Sequence, residues 1–383
     1  MVLHGARGLS QVASQTRPKA PASGAVPGVP GKLAQHPDLW AIDLRGAIPY
    51  GDDVMADLRK DPTRGRWVLV RPRTAGLRPG DQCPFCPGNE SLTPPEIAAY
   101  RKDGSPADSS GWSVRVIPEA DPYFRIEQQL VREGVGLYDR ISPRGATELI
   151  VESPGHDDTP STMGTAQWEQ VLWMYRERIR DLKRDVEIRD ILVTRRHRAS
   201  GARITHPYSR LTAIPIIFDE VRRKLRECRE YYEYKRRCVY CDIIRQEVAG
   251  EERLVRQTDR FVALSPYAPQ SPFETWILPR QHHCAYEEIL TGEVVTDLAG
   301  LLADYFRTLA GPLGDPSFEM TLYTAPNRSA KVLPGEWSTI ADDYHWHVEV
   351  VPDSHPRARI GGIHVNETPP EEAARRLRQS WRT

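Results

Sequence analysis

The sequence predicts an α+β protein in which one large unit occurs twice. Three observations lead to this prediction: a series of motifs repeats in the same order, each copy has one long amphipathic helix, and short apolar strands lie on both sides of that helix. Each copy begins with a Cys-x-x-Cys pair and ends with a strand that carries histidine or its replacement. A repeat this long indicates duplication of a whole domain, because solenoid repeats have periods of roughly 20–50 residues.

The two copies and the segment before them differ in composition. Residues 1–35 are rich in Ala, Gly, Pro and Ser and lack periodic apolar residues, so we expect a disordered tail there. The first copy is expected over residues 54–216 and the second over residues 217–375.

Apolar runs predict the strands, and apolar residues at three- and four-residue spacing predict the long helices. In the first copy the expected strands are residues 67–70, 114–117, 148–151 and 191–193, and the expected helix is residues 164–185. In the second copy we expect helices at residues 218–236 and 286–311, and strands at 261–264, 275–278, 320–323 and 344–351.

Charge and hydropathy exclude several classes of partner. The chain has 52 Lys and Arg residues and 52 Asp and Glu residues, so no overall field attracts nucleic acid or an anionic membrane. No segment reaches the ~20 apolar residues of a membrane-spanning helix, and the N-terminus lacks the apolar core of a secretory signal. We therefore expect a cytoplasmic protein with no nucleic-acid or membrane partner.

Four of the six cysteines form the two Cys-x-x-Cys pairs, which favours metal binding over disulfides in a cytoplasmic chain. Two histidines follow each pair at corresponding places, so each copy supplies two thiolates and two imidazoles. This donor set predicts a closed, tetrahedral, structural zinc site in each copy, and therefore two zinc ions per chain. The expected ligands are Cys83, Cys86, His156 and His206 in the first copy, and Cys238, Cys241, His282 (or its neighbour His283) and His345 in the second.

The segments around these ligands resemble one known family. They include Cys83-Pro84-Phe85-Cys86, Ser153-Pro154-Gly155-His156, Phe273-Glu274-Thr275-Trp276 and Tyr344-His345-Trp346-His347. They are similar to the galactose-1-phosphate uridylyltransferase family of the histidine triad superfamily, in its short two-zinc branch, which includes ADP-glucose phosphorylase-like members. The resemblance implies duplicated histidine-triad-like units with an antiparallel sheet and packed helices. It also implies His282 as the ligand rather than His283, and a homodimer whose subunits complete each other's active sites.

The resemblance further implies transfer of a nucleotide. In the family, a histidine attacks the α-phosphorus of a nucleoside diphosphate sugar and carries the nucleotide as a covalent intermediate. This histidine comes two residues after the zinc-binding histidine, and a glutamine two residues further on binds phosphoryl oxygens. Here those places hold Tyr208 and Arg210, while Arg203 and Arg195 stand at the family's serine and asparagine positions.

Three of these four changes add a positive charge, which favours retained binding of an anion because guanidinium groups match phosphate oxygens. We therefore predict a cationic pocket for a nucleotide sugar or a sugar phosphate. Its expected members are Arg195, Arg203 and Ser209 as binding residues, and Tyr208, Arg210 and His197 as catalytic candidates, with His347 of the second copy as one more catalytic candidate.

Three mechanisms are open for such a pocket. Tyr208 could form a nucleotidyl-tyrosine, for which a phenol of pKa about 10 needs Arg203 or Arg210 to stabilise the phenolate. The pocket could instead align two substrates for direct transfer without a covalent intermediate. It could also bind a nucleotide or a phosphate without catalysis. The sequence favours a divergent nucleotidyltransferase-like enzyme of carbohydrate metabolism without a nucleotidyl-histidine, and the alternative is a catalytically inactive binding protein.

Overall fold

The structure of the protein is a computed structural model that describes residues 56–71, 82–102, 104–198, 204–289, 291–331, 337–353 and 359–381. The tail expected at residues 1–35 and the predicted binding residue Arg203 lie outside the described residues. Within the described ranges, no helix combines the length and the apolar character needed to cross a bilayer.

The first copy contains the long helix and the four strands that its apolar runs predict, together with additional short strands. Its elements are β1 (Asp57–Lys60), β2 (Trp67–Val70), a 3-10 turn (Glu90–Leu92), β3 (Ala98–Arg101), β4 (Trp112–Pro118), β5 (Arg132–Val135), β6 (Tyr138–Ile141), β7 (Ala146–Val151), α1 (Thr165–Leu182), β8 (Asp190–His197) and β9 (Tyr208–Ile214).

The second copy differs from expectation in its long helix. The single helix expected at 286–311 is two helices, because Thr291 is extended (φ −105°, ψ 168°) and caps the start of the second one. The elements are α2 (Asp219–Lys235), α3 (Val239–Gly250), β10 (Leu254–Gln257), β11 (Phe261–Leu264), β12 (Thr275–Pro279), α4 (Tyr286–Ile289), α5 (Gly292–Leu313), β13 (Phe318–Tyr323), α6 (Ile340–Asp343), β14 (His347–Pro352), β15 (Arg359–Ile360), β16 (Ile363–His364) and α7 (Pro370–Ser380).

Ten strands form one continuous antiparallel sheet in the order β10-β11-β12-β14-β13-β8-β9-β7-β4-β3. Each copy contributes five of them, and the central pair is β13 with β8, where Thr321 lies opposite Thr194. Read outward from this pair, β9 corresponds to β14 and β7 corresponds to β12. The predicted α+β class with an antiparallel sheet and packed helices is confirmed.

One face of the sheet is covered by α1 and α5, which pack side by side. Trp168 of α1 stacks on Phe306 of α5 with 5.5 Å between ring centroids. Side chains alternate between the two faces along a strand, and Ile191 and Val193 of β8 turn inward to meet these helices. The main apolar core therefore lies between the sheet and this helix pair.

The opposite face is covered differently in the two halves. Over β11 and β12, helices α2 and α3 bury Cys228, Ile244 and Leu278 in one apolar cluster. Over β4 and β7, the segment of the first Cys-x-x-Cys pair covers the sheet, with Phe85 buried against Leu149. The first half is thus covered by a short segment where the second is covered by two helices.

A separate four-stranded sheet, in the order β2-β1-β6-β5, packs beside the end of β9. Its inward residues Leu58 and Ile141 are buried with Ile214 and with Ile216, which follows β9. This small sheet therefore borders the segment that leads into α2.

Candidate active site and metal centres

The first Cys-x-x-Cys pair meets two histidines from distant parts of the chain. Cys83 and Cys86 lie before the 3-10 turn, His156 follows β7 and His206 precedes β9. The ligand atoms of these four residues lie within 4.8 Å of one another. Cys86 Sγ is 3.4 Å from His156 Nδ1 and 3.8 Å from His206 Nδ1.

The second cluster has the same composition and the same topology. Cys238 caps α3 and Cys241 lies in its first turn, while His282 follows β12 and His345 precedes β14. Cys241 Sγ is 3.4 Å from His282 Nδ1 and 3.7 Å from His345 Nδ1. His282, and not the adjacent His283, is the histidine that joins this cluster.

Hydrogen bonds orient all four imidazoles toward the sulfurs. In each ring Nε2 meets an oxygen of the surrounding chain, which leaves the lone pair of Nδ1 directed at the cysteines. Such outer hydrogen bonds fix the orientation of metal-ligating histidines. The oxygens are Ser153 O at 2.7 Å from His206, Pro279 O at 3.0 Å from His345, Ala341 O at 2.9 Å from His282 and Thr205 Oγ1 at 3.2 Å from His156.

The spacing of the donors fits a tetrahedral ion. With metal–sulfur and metal–nitrogen bonds of the lengths found for zinc, a tetrahedron separates sulfur and nitrogen by roughly 3.6 Å. The sulfur–nitrogen distances across the two clusters run from 3.4 to 4.0 Å. Both sets of ligands could therefore hold a metal ion without rearrangement.

A cleft of about 450 Å³ lies beside the first cluster, between its histidines and the facing ends of β8 and β9. Side chains alternate along β9, so Tyr208 and Arg210 project on the cleft side of the sheet while Ser209 projects toward α1. The Tyr208 ring packs edge-on against Phe85 at 5.4 Å between centroids. The predicted candidates Tyr208 and Arg210 therefore share this cleft.

The arginines of the cleft that the structure describes are each paired with a carboxylate. The pairing lowers the net positive charge that their number alone would give. The pairs are Arg195 with Glu152, Arg196 with Glu319, Arg198 with Asp315 and Arg210 with Glu119, at 2.6–2.9 Å.

Arg195 reaches the end of the cleft from the helix-covered face of the sheet. It is 2% exposed, its Nε donates to Glu152 Oε2 at 2.6 Å, and its Cζ lies 5.8 Å from the centre of the Trp168 ring. Its Nη1 has no hydrogen-bond partner among the described residues. A buried N–H without an acceptor is costly, and Arg195 is one of the residues that line the cleft.

Ser209 lies away from the cleft. It is fully buried and donates its hydroxyl hydrogen to Glu152, which also accepts from the Tyr175 hydroxyl at 2.8 Å. The two hydroxyl oxygens are 2.5 Å apart. Because its side chain points to α1, Ser209 supports Glu152 and, through it, Arg195, and it is not among the residues that line the cleft.

His197 lines the cleft beside a carboxylate. Burial and the charge of Arg195 lower its pKa, although Asp315, 2.9 Å from Nε2, acts in the opposite direction. Its ring packs against Phe318 at 5.2 Å between centroids. The predicted catalytic candidate is therefore present in the cleft but is held by a carboxylate and an aromatic ring.

His347 is the counterpart of Tyr208 in the second half, and it is enclosed. The rings of Tyr240, Trp276 and Tyr323 lie 4.7, 6.1 and 5.0 Å from its ring centre, and it is 0% exposed. Burial lowers its pKa. These rings enclose the imidazole, and His347 does not line the cleft at Tyr208.

A buried charge network adjoins this histidine. Lys224 Nζ donates to Glu349 Oε1 at 2.6 Å, and His347 Nε2 lies 3.4 Å from the same oxygen. Burial raises the pKa of Glu349, but the hydrogen bonds and charges of His347 and Lys224 outweigh burial and lower the pKa to about 2. Burial and the charge of Glu349 raise the pKa of Glu274 to about 7.

Sequence reasoning missed the carboxylates that hold the cleft residues. The importance of Glu152 could have been noticed in the sequence, since it directly precedes the Ser153-Pro154 turn that leads to His156. No sequence motif points to Glu119 or Asp315, because they lie 91 and 118 positions from their partners Arg210 and His197. Only the folded sheet brings them together.

Comparison with known proteins identifies relatives over most of the chain. The chain matches no family model. ADP-glucose phosphorylase of Arabidopsis thaliana is 28% identical over 346 residues, which are 84% of this chain and 92% of that protein. Galactose-1-phosphate uridylyltransferase of Thermotoga maritima is 28% identical over 354 residues, 85% of this chain and 99% of that protein.

Solved structures share the fold. The structure of a uridylyltransferase superposes with a TM-score of 0.71 at 27% identity and covers 85% of this chain and 98% of that chain. A crystal structure of the Arabidopsis thaliana ADP-glucose phosphorylase with bound ADP-glucose superposes with a TM-score of 0.65 at 28% identity. It covers 84% of this chain and 98% of that chain.

Proposed function

This chain is a relative of the galactose-1-phosphate uridylyltransferases and of ADP-glucose phosphorylase, and we propose that it is a nucleotidyl-transfer enzyme acting on a nucleotide sugar or a sugar phosphate. The proposed site is the cleft at Tyr208. The proposed reaction is direct transfer, without a nucleotidyl-histidine intermediate.

One observation carries this proposal: Tyr208 and Arg210 stand side by side on β9 at the mouth of the cleft, next to His206. The resemblance places a nucleophilic histidine and a glutamine at these two positions. Of the imidazoles in the cleft, His156 and His206 turn Nδ1 toward sulfur, and His197 is held by Asp315. No imidazole described in the cleft therefore occupies the nucleophile's position.

The direct reaction needs alignment and charge stabilisation more than a nucleophilic side chain. An oxygen of the acceptor phosphate attacks the α-phosphorus, the bond from that phosphorus to the bridging oxygen breaks, and the sugar phosphate leaves with the electron pair. Arg210 Nε, on the cleft side of the sheet, is a buried donor without a partner among the described residues. It would bind a phosphoryl oxygen as negative charge shifts from one oxygen to another. Arg195 also lines the cleft, which it reaches at one end from the α1 side of the sheet.

The two clusters are proposed to hold zinc in a structural role. Each offers four protein ligands, which fill a tetrahedral shell, so the ion would take no part in the transfer. In the first half, His206 joins the cluster two residues before Tyr208. Zinc there would hold the start of β9 in place and thereby fix the position of the cleft side chains. The homodimer implied by the resemblance stays a prediction, which light scattering on the purified protein would test.

A second candidate function is ligand binding without catalysis. It is favoured by the ion pairs of the cleft, because an arginine held by Glu119 or Glu319 stabilises a shifting charge less than a free one does. A receptor for a nucleotide or a phosphate would tolerate such pairing, since it needs only ground-state affinity.

The direct-transfer proposal is tested by the stereochemistry of the reaction. Protein is incubated with ADP-glucose or UDP-glucose, chiral at the α-phosphorus, together with phosphate or a hexose 1-phosphate. A single displacement inverts the configuration, whereas two displacements through a covalent intermediate retain it. We expect inversion, and no nucleotidyl adduct and no burst of glucose 1-phosphate when the protein is incubated with the nucleotide sugar alone.

Variants separate the three mechanisms. Arg210→Ala is expected to lower kcat/KM on the order of a hundredfold. Arg184→Ala is the matched control, because Arg184 is 82% exposed and lies two residues after α1. Retention, with a nucleotidyl adduct in the intact mass that Tyr208→Phe abolishes, would establish the tyrosine route instead. Nucleotide binding without turnover on any of these substrates would establish the receptor.

A further inference from the structure

A second cleft, of about 400 Å³, shares no lining residue with the cleft at Tyr208. It is bordered by the small sheet, residues 215–217, α2 and α6. Its volume lies within the roughly 300–1,000 Å³ typical of small-molecule sites. The mechanism proposed above makes no use of it.

Five arginines and one acidic side chain line this second cleft: Arg132, Arg189, Arg222, Arg226, Arg229 and Asp343. The chain as a whole has zero formal net charge, so this is a local concentration of positive charge. Asp343 is 3% exposed and accepts a hydrogen bond from Thr339 Oγ1 at 2.6 Å. One carboxyl group therefore faces five guanidinium groups.

Among these arginines, Arg222 is bound to the protein backbone, whereas Arg226 and Arg229 are held by exposed ion pairs. Arg222 is structural, because it donates to the carbonyl oxygens of Gly65 and Ile217 at 3.2 and 3.0 Å. Arg226 and Arg229 lie three residues apart on α2 and pair with glutamates of the same helix that are more than half exposed. Exposed pairs of this kind are worth roughly 0–1 kcal/mol, so both guanidinium groups can turn to an anion at little cost.

The remaining lining is aromatic and aliphatic. Trp67 of β2 and Trp337, just before α6, contribute indole rings, and the Arg189 guanidinium lies 5.3 Å from the Trp337 ring centre. Ile216 and Ile340 contribute apolar surface between them. A planar, uncharged ring suits such walls, since it stacks on indole and replaces water there.

We propose that this cleft binds a nucleoside phosphate, with its phosphates between Arg226 and Arg229 and its base against the tryptophans. Only a ligand that joins an anionic group to a planar ring uses both parts of the lining. The site also adjoins the second metal cluster, because α6 lines the cleft through Ile340 and accepts the hydrogen bond of His282 at Ala341 O.

The test measures binding of ADP, adenosine and inorganic phosphate by calorimetry, in the Arg210→Ala background so that the cleft at Tyr208 contributes little. Arg226→Ala and Arg229→Ala are each expected to weaken ADP binding at least about tenfold, the loss of one charge-assisted hydrogen bond. Arg223→Ala is the matched control: it is on the same helix, pairs with Glu220 and does not line the cleft. ADP should also quench tryptophan fluorescence, and Trp67→Leu should reduce the quenching.

Three results would overturn the inference. The first is ADP binding that is equal in Arg226→Ala, Arg229→Ala and Arg223→Ala. The second is inorganic phosphate binding as tightly as ADP, which would remove the base from the assignment. The third is a change of oligomeric state in the Arg226 and Arg229 variants with ADP binding unchanged, which would make the cleft a protein interface. None of these depends on turnover at Tyr208, so either proposal can fail alone.

Discussion

The two halves of the sheet have corresponding strands but opposite environments at one corresponding position. In the first half, Tyr208 and Arg210 are partly exposed and border a cleft. In the second half, His347 and Glu349 are 0% and 5% exposed. The difference comes from the covering layer, since α2 and α3 pack on the second half where a short Cys-x-x-Cys segment packs on the first.

The type of residue at this position and its exposure to a cleft therefore vary independently between the two halves. In the second half the histidine, His347, is surrounded by aromatic rings. In the first half the corresponding residue, Tyr208, lines a cleft. A His-x-His sequence therefore indicates ancestry here, while exposure and unpaired donors indicate where a ligand fits. The following experiments test how far the two halves have diverged.

The largest expected effect is loss of a metal cluster. Cys86→Ser and Cys241→Ser should each reduce bound zinc from two to one per chain, by elemental analysis, and lower the free energy of unfolding by several kcal/mol. The loss should be somewhat greater for Cys241→Ser, because Cys238 is buried whereas its counterpart Cys83 is half-buried, while the other three ligands have matching burial in the two clusters. Cys284→Ser, at a buried cysteine outside both clusters, is the control. Unchanged zinc content in either variant would contradict the ligand assignment.

The next effect concerns the buried ion pair. Lys224→Met leaves the Glu349 carboxylate buried without its cation and should destabilise the protein by roughly 3–5 kcal/mol in urea unfolding. In the open half, Arg196→Met removes a 66% exposed partner of Glu319 and should change stability by less than about 0.5 kcal/mol. Equal losses in the two variants would show that the halves do not differ in burial as described.

The closed half should also make stability depend on pH through Glu274. An unfolded glutamate titrates near pH 4.5, whereas folded Glu274 keeps its proton up to about pH 7. As pH rises between these values the unfolded chain releases this proton first, so the folded state loses roughly 3–4 kcal/mol of stability, which is fully present only below pH 4.5. Glu274→Gln should flatten this part of the curve of unfolding free energy against pH. A slope that persists in the variant would assign it to another group.

The smallest expected effect is at Tyr208. Its hydroxyl makes no hydrogen bond within the described parts of the chain, so Tyr208→Phe should change the thermal midpoint by no more than the equivalent of about 0.5 kcal/mol. Any change in nucleotide chemistry in this variant would then reflect the site and not the fold. A large loss of stability would mean that the hydroxyl is engaged elsewhere.

The sequence was sufficient for the fold class and for the grouping of the metal ligands. Apolar periodicity predicts strands such as β11, and the recurrence of a Cys-x-x-Cys pair followed by two histidines predicts the clusters, with the family resemblance selecting His282 over His283. The break between α4 and α5 was missed, because the apolar spacing continues through Thr291 although its backbone is extended.

The cleft was harder to predict because it depends on which face of the sheet a side chain occupies. Arg195, Ser209 and Arg210 are close in the predicted pocket, yet Arg195 and Ser209 lie opposite each other on the α1 side and Arg210 on the other side. The neutralising carboxylates come from other strands and loops, so the run of arginines overstated the charge of the pocket. Long-range pairing of this kind leaves no local trace in a sequence.

The central pairing of β8 with β13 also decides what each half could be on its own. All six residues of β13 lie opposite residues of β8, so separating the copies would leave two long strands with bare backbone donors and acceptors. Such edges pair readily with other chains, and an isolated copy would therefore tend to associate with itself through this strand. In the intact chain, β8 and β13 pair with each other, so neither copy exposes this edge to other molecules.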